Sequence, residues 1–434
     1  MHADVQIQKV VDDQLKAITA EIVRNVPYVD SIVLSGGFGR GEGSVRMNQS
    51  GGYVPLNDFD LYVFTRGSLD QATYSKMLRE IYRSLAEAGF RGRDLDAFHI
   101  DVQVIERRSI ARLNNDMSTY GLKTSSRVVW GKDIRNQIPI DLKDIPYTSV
   151  ELNAPFHSAL GLILNFELGF INAGPWKDHL ARFNYECYKA YIAISTALGM
   201  LHRSLEFSHL KRANMIHDNY SRWFPDLADK LPSLHNDIVY YTHLKLNSIS
   251  FDEERNPVQL WFKCKSDLTT VLQYVICREL NERACFEAKF SDYIYRRKES
   301  ISSLYYFPYL RYMFERRHLP SGRIVLSAVM PFAALAMNFE YWRSHVMQAS
   351  AGSGRLVFSS MSPTVRIFVS SALLLSSVGA DGTIDRESAE NARRLLEPLS
   401  SRTRAASSTD PWTNLRDICL ESKRFTTRMG KTTL

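Results

Sequence analysis

A chain of 434 residues is long for a single hydrophobic core, so two or three domains are expected. Apolar residues make up 45% and charged residues 23%, the balance of an ordinary soluble globular protein rather than a disordered or fibrous one. The net charge of +7 suits anionic partners such as nucleotides or nucleic acid without requiring them.

The five cysteines are scattered and odd in number, with no C-x-x-C pair. That argues against a disulfide framework or a zinc ribbon and predicts reduced thiols in a cytoplasmic protein. The first residues carry no basic leader followed by an apolar run, so no signal peptide is expected. Ile324–Phe339 and Ile367–Ala380 are apolar but fall short of the ~18 uncharged residues of a spanning helix, which predicts core helices and no membrane association.

Val11, Leu15, Ile18 and Ile22 recur at helical spacing, so the first ~25 residues read as an amphipathic helix. Ile32, Val33 and Leu34 form a short apolar run closed by glycines, the pattern of a buried strand ending in a tight turn. The turn reads Gly36-Gly37-Phe38-Gly39-Arg40-Gly41-Glu42 and is expected to open a helix. After a polar loop, Asn57-Asp58-Phe59-Asp60 begins a second strand in which Asp58, Asp60 and Tyr62 alternate with Phe59, Leu61 and Val63. Strand side chains repeat every two residues, so the two carboxylates leave one face and repel. A divalent cation would offset that repulsion, and Mg²⁺ favours carboxylate oxygens together with substrate phosphates.

The stretch resembles the signature of the DNA polymerase beta-like nucleotidyltransferase superfamily, closest to its minimal form, Gly-Ser-Tyr-Ala-Arg-Gly-Glu followed by Ser-Asp-Ile-Asp. The match covers roughly the first third of the chain. Gly37 stands where serine is commoner, and Val45–Pro55 is an apparent insertion before Asp58. The resemblance implies an α+β fold: a nucleotidyltransferase core, with a short mixed sheet flanked by helices, over 1–150. A mainly helical region follows over 151–348, then a linker, a helical segment and a basic tail over 349–434.

It also implies the chemistry, transfer of a nucleoside monophosphate from an NTP, with ATP expected, onto an acceptor hydroxyl. Asp58 and Asp60 would hold Mg²⁺, with Mn²⁺ as the alternative metal, and Gly36 and Gly37 would hold phosphates. Arg40 and Glu42 either position phosphates or pair with each other.

Ser68 or Asp70 caps a predicted helix from about Leu69 to Ala88, with Leu78, Ile81 and Leu85 on its inner face and Gly89 as its stop. Phe98–Ile105 alternates as a strand with His99, Asp101 and Gln103 on one face. By the resemblance Asp101 is the third metal-binding carboxylate. Ile110–Asn114 looks helical, and Arg127–Gly131 resembles the strand and turn that close such cores.

From Pro155 the apolar spacing becomes helical. Helices are predicted over Tyr185–His202, Val258–Glu282, Ser302–Arg317 and Arg323–Gln348, the last two broken or kinked at Pro308 and Pro331. Lys189, on the first of these, is either a solvated lysine or, by the resemblance, a group reaching the triphosphate. Ala349–Arg355 reads as a linker, Pro363–Ala380 and Arg386–Leu396 as helices, and Ser400–Asp410 and Arg424–Leu434 as flexible basic segments.

Arg212–His217 and Arg311–His318 fit the Arg-x4–6-His pattern of HEPN ribonucleases, but with 11 histidines such matches arise by chance, and no ribonuclease activity is expected. A small molecule or a protein is the preferred acceptor. Nucleic acid is disfavoured, because the basic charge lacks interleaved aromatics. The alternatives are an oligonucleotide second-messenger synthase and a catalytically inactive nucleotide-binding regulator.

Overall fold

The computed structural model describes residues 2–47, 53–55, 58–88, 100–113, 116–145, 147–204, 206–247, 256–316, 361–399 and 411–432, with a few positions between 325 and 339. The chain divides into two compact units. The first is Met1–Ile145 with Phe207–His209 and His243–Phe251; the second is Pro146–Glu206, Leu210–Thr242 and Asp252–Leu434.

In the first unit, helix α1 (His2–Asn25) precedes strand β1 (Val29–Leu34) and the four-residue helix α2 (Gly36–Gly39). Strands β2 (Val45–Met47) and β3 (Tyr53–Pro55) pair antiparallel, so the stretch read as an insertion is built around a small hairpin. Strand β4 (Phe59–Thr65), helix α3 (Gln71–Glu87), strand β5 (Ile100–Glu106), helix α4 (Met117–Thr124) and strand β6 (Arg127–Gly131) follow.

The four long strands order β5-β4-β1-β6, with β1 antiparallel to β4 and β6 and β4 parallel to β5. With helices dominating the rest of the chain, the class is α+β.

Alternation decides the two faces of this sheet. Ile32, Leu34, Phe59, Leu61, Val63, Ile100 and Val102 share one core with Val11, Leu15, Ile18 and Ile22 of α1 and Met77, Ile81 and Leu85 of α3. Each such side chain contributes about 1.5–3 kcal/mol when fully buried. The same period sends Asp60, Tyr62, Asp101 and Gln103 to the opposite face. Asp70 is the cap of α3, its carboxylate accepting from the Thr73 N–H at 2.8 Å. Ile110 lies in a 3₁₀ turn over Arg107–Arg112, while α4, capped by Asp116, has no counterpart in the sequence reading.

The second unit is helical. Tyr147–Leu164 and Lys177–Leu201 pack together and against Pro257–Glu279. Tyr188, Ile192, Ser195 and Gly199 form a buried stripe. Phe166 stacks on Trp261 at 3.9 Å, and the indole N–H groups of Trp261 and Trp412 donate to the carbonyls of Leu162 and Leu374. Pro363–Ser377 packs on Tyr147–Leu164, with Phe156 stacked on Phe368, so the C-terminal helices share this unit's core.

Tyr191 donates to the buried Asp267, which also accepts from Lys263; Lys263 in turn reaches Asp237. Among the described residues no helix is long and apolar enough to cross a membrane.

Three expectations are corrected here. Cys277 and Cys285 form a disulfide, so the five cysteines are not all reduced thiols. The reason is local. Asn281 takes a left-handed conformation (φ 57°) just past the end of Pro257–Glu279, which turns the chain back and leaves the two Cα atoms 5.4 Å apart. The helix Lys298–Arg316 is not broken at Pro308, and Pro411–Thr432 is helical where a flexible tail was expected at Arg424–Leu434. The expected linker Ala349–Arg355, the segment Ser400–Asp410, and Pro331 with six other positions of Ile324–Phe339 lie outside the described residues.

Closing the short loop between cysteines eight positions apart stabilises the fold by about 2–3 kcal/mol through the unfolded chain's entropy. A reductant such as TCEP is therefore expected to lower the melting transition of the second unit. It should leave a Cys277→Ser, Cys285→Ser variant unchanged; equal shifts in both proteins would show the bond contributes nothing.

Candidate active site

The polar face of the sheet brings the predicted carboxylates together. Asp60 of β4 lies directly opposite Asp101 of β5 in the parallel register, so the two side chains leave neighbouring strands side by side. Asp58 sits exposed just before β4. Burial, followed by the charges of Asp58 and Asp101, pushes the Asp60 carboxyl up from 3.8 to about 6, with Arg40 opposing the rise. Gly36, at the end of β1, has φ +64°, and a Cβ there would stand 1.9 Å from the Asp60 carboxylate oxygen Oδ2. The Ser35 N–H donates to the Asp60 carbonyl at 2.8 Å. Gly36 and its neighbour Gly37 open α2, whose first N–H groups have no acceptor within so short a helix.

Arg40 and Glu42 lie beyond α2 rather than a turn inside a helix, because α2 ends at Gly39. The chain folds back there: the Glu42 N–H donates to the Gly37 carbonyl at 2.8 Å. The two side chains pair, Arg40 Nε to Glu42 Oε2 at 3.5 Å. Arg40 also reaches His209 Nε2 at 3.1 Å, while Glu42 accepts from the Ser208 hydroxyl at 2.7 Å and the His209 N–H at 3.0 Å. Glu42 thus holds the 207–209 segment in place and orients Arg40.

Removing that carboxylate takes this acceptor from Arg40, the Ser208 hydroxyl and the His209 N–H, at a cost of roughly 1–3 kcal/mol. A Glu42→Ala variant is expected to lose that much stability in chemical denaturation, and a loss under 0.5 kcal/mol would show the bonds to be inconsequential.

Tyr62, which the alternation already puts on this face, and Asp116, which the sequence reading does not name, join the carboxylates. Tyr62 follows Asp60 on the same face, and its phenol is pushed up by burial and then by Asp116, Asp60 and Asp101. Asp116, the cap of α4, accepts from the Thr119 N–H at 2.8 Å; burial raises its carboxyl despite that bond. The only sequence signal for it was a cap pattern, Asp116-Met-Ser-Thr119. Tyr74, whose hydroxyl donates to the Val102 carbonyl, also feels the charge of Asp101. Lys189 is exposed on the helix Lys177–Leu201 of the second unit.

Arg212 is buried, bonding the Ser195 hydroxyl at 3.2 Å and the Glu206 carbonyl at 2.7 Å, which makes it a packing residue. His217 bonds its neighbour Asp218, and His318 lies outside the described residues.

Among the described residues, no three His, Cys, Asp or Glu side chains form a group close enough to hold a metal ion as they stand. The donor chemistry nonetheless suits a hard cation. Burial and the charges of Asp58 and Asp101 disfavour the ionised Asp60 carboxyl against the opposing charge of Arg40, and a divalent cation is a usual offset for clustered carboxylates. Asp60, Asp101 and Asp58 are the residues that would close on it. No family model matches the chain, and neither a curated protein nor a solved structure does.

Proposed function

We propose that the protein is a metal-dependent nucleotidyltransferase that moves a nucleoside monophosphate from an NTP, with ATP as the expected donor, to an acceptor hydroxyl. The observation that carries this reading is the in-register pair Asp60 and Asp101 beside Gly36, on a mixed sheet whose glycine turn and Asp58-Phe59-Asp60 resemble the DNA polymerase beta-like core.

Mg²⁺, or Mn²⁺ in its place, bound by Asp58, Asp60 and Asp101, would neutralise the triphosphate and acidify the acceptor hydroxyl. The acceptor oxygen bonds to the α-phosphorus as the bond to the β-phosphate oxygen breaks. Pyrophosphate leaves, and the hydroxyl proton passes to solvent.

The chain's own residues set up that displacement. Gly36 leaves the Asp60 carboxylate room at the turn, and the opening N–H groups of α2 offer donors to phosphate oxygens. Arg40, held by Glu42, contributes fixed positive charge near Asp60. A small molecule or a protein hydroxyl is the acceptor class we favour.

The test is transfer of radiolabel from each α-labelled NTP by the full chain with Mg²⁺, with mass spectrometry of the products. Label transfer in the wild type and its loss in an Asp58→Ala, Asp60→Ala double variant is expected. Undiminished transfer by the double variant overturns the mechanism, and linear or cyclic oligonucleotides made without added acceptor overturn the acceptor assignment.

A further inference from the structure

A second feature of the first unit lies at the opposite edge of the sheet from β5. Strand β6 closes the order β5-β4-β1-β6, and among the described residues β1 is its only strand neighbour. An open groove of about 740 Å³ runs between β6 and α1. Leu15, Thr19, Val23 and the exposed Ala20 of α1 and Val129 of β6 line it. Trp130, at 37% exposure one of the large apolar side chains left open to solvent, stands at its end.

The dimensions suit an extended segment. Five strand residues, Arg127–Gly131, span roughly 16 Å at about 3.3 Å each. The helical wall from Asp12 to Arg24 spans roughly 18 Å at about 1.5 Å per residue. An exposed edge strand is also where a partner strand adds to a sheet, main-chain bonds giving affinity and pockets for alternate side chains giving specificity. Proteins usually blunt such edges with charge, proline or a bulge. Here β6 carries a register shift opposite Ile32 and Val33 and one charge, Arg127, yet it has no proline, and Val128 and Val129 are half-buried beside the exposed Trp130.

The rim charge selects the occupant. Lys16, Arg24 and Arg127 line the groove against one acid, Asp12, which is itself engaged by Arg127 at 3.4 Å. Arg24 is paired with Glu21, but its side chain remains 69% exposed. A basic segment would meet like charge, whereas Asp or Glu side chains would meet the exposed cations.

We propose that the groove between α1 and β6 binds an acidic, extended segment of a partner protein, in which Asp or Glu alternates with apolar residues and adds as a further strand to β6. The apolar side chains of one parity enter the groove over Leu15 and Val23, and the acids of the other parity face Lys16 and Arg24. This site is separate from the carboxylate face and does not depend on the nucleotidyltransferase reading.

The experiment uses the full chain to select from a phage-displayed library of random dodecapeptides, counter-selected on an Ala20→Trp variant that fills the groove from an exposed helical position. Expected are groove-dependent clones in which acids alternate with apolar residues. The best peptide, fluorescein-labelled, should bind at least tenfold more weakly to a Lys16→Glu, Arg24→Glu variant, weaken with added salt, and slow amide hydrogen exchange at Val128–Trp130. Circular dichroism and melting of both variants verify that they fold.

Enrichment of basic sequences or of helical spacing overturns the proposal. So does the lack of any clone sensitive to Ala20→Trp, or binding without protection of β6. Self-association in sedimentation that Ala20→Trp abolishes would assign the groove to a second copy of this chain, and that too overturns it.

Discussion

The Asp60→Asn variant is expected to melt higher than the wild-type chain in EDTA at pH 8, and to gain little when Mg²⁺ and ATP are added. The Asp60 carboxyl lies near 6 in the folded protein against 3.8 in its ordinary setting, for burial and the like charges of Asp58 and Asp101 disfavour its ionised form. A carboxyl whose folded value exceeds its unfolded value costs stability wherever it is ionised. The cost is nearly absent below about 3.8, grows as pH rises towards about 6, and is complete above it. The difference corresponds to up to about 3 kcal/mol, which in a unit of this size moves the transition by about 6–12 °C.

Asparagine keeps the shape without the charge, so the variant's advantage should shrink as pH falls to about 4. With Mg²⁺–ATP at a hundredfold excess over its dissociation constant, the wild type gains about 2.7 kcal/mol and the variant far less. Thermal melts across pH 4–8, with EDTA or with Mg²⁺ and ATP, check both halves. A wild-type melt indifferent to millimolar Mg²⁺–ATP, or a variant no more stable than wild type in EDTA, would remove the site as drawn.

Gly36→Ala is expected to be the most damaging change to the glycine turn. A Cβ at φ +64° carries about 1–2 kcal/mol of backbone strain, and this one would also collide with Asp60 Oδ2. Gly41 separates the two effects, since it has φ +75° but open space where its Cβ would go. Gly41→Ala should therefore cost only the strain, whereas Gly36→Ala costs more and displaces Asp60, eliminating the Mg²⁺–ATP stabilisation. In an Asp60→Ala background, the penalty of Gly36→Ala should fall to the level of Gly41→Ala. Denaturant titrations of the four proteins complete the cycle. Equal penalties at both glycines would show that the contact with Asp60 carries no energy.

Much of the first unit is legible because period-two alternation is clean in Phe59–Val63 and Ile100–Val104. Core and carboxylate faces follow from it without any structure. What alternation cannot give is register, so the pairing of Asp60 with Asp101 across parallel strands emerges only from the fold. Asp116 escaped notice, and Tyr62 was placed on the carboxylate face without a role, because a capping aspartate and a strand tyrosine have ordinary sequence roles, and only burial beside other carboxylates makes them distinctive.

The partners of Glu42 are about 166 positions away, beyond the reach of any local pattern. The disulfide was hidden for the opposite reason. It depends on one left-handed residue, Asn281, inside a stretch that otherwise reads as helix.

The bonds that Glu42 accepts from Ser208 and His209, and the one the Ser44 hydroxyl donates to the Lys245 carbonyl, bear on how the chain is made. The first 145 residues leave the ribosome well before these segments exist, and Lys245 is synthesised 100 residues after Ile145. At about 5–20 residues per second that is a delay of roughly 5–20 s. During it the sheet can form, but the loop carrying Arg40, Glu42 and Ser44 lacks these three bonds. Biosynthesis thus separates the assembly of the scaffold from the setting of its cationic loop, and a nascent chain arrested before residue 207 would carry the carboxylates without a fixed Arg40.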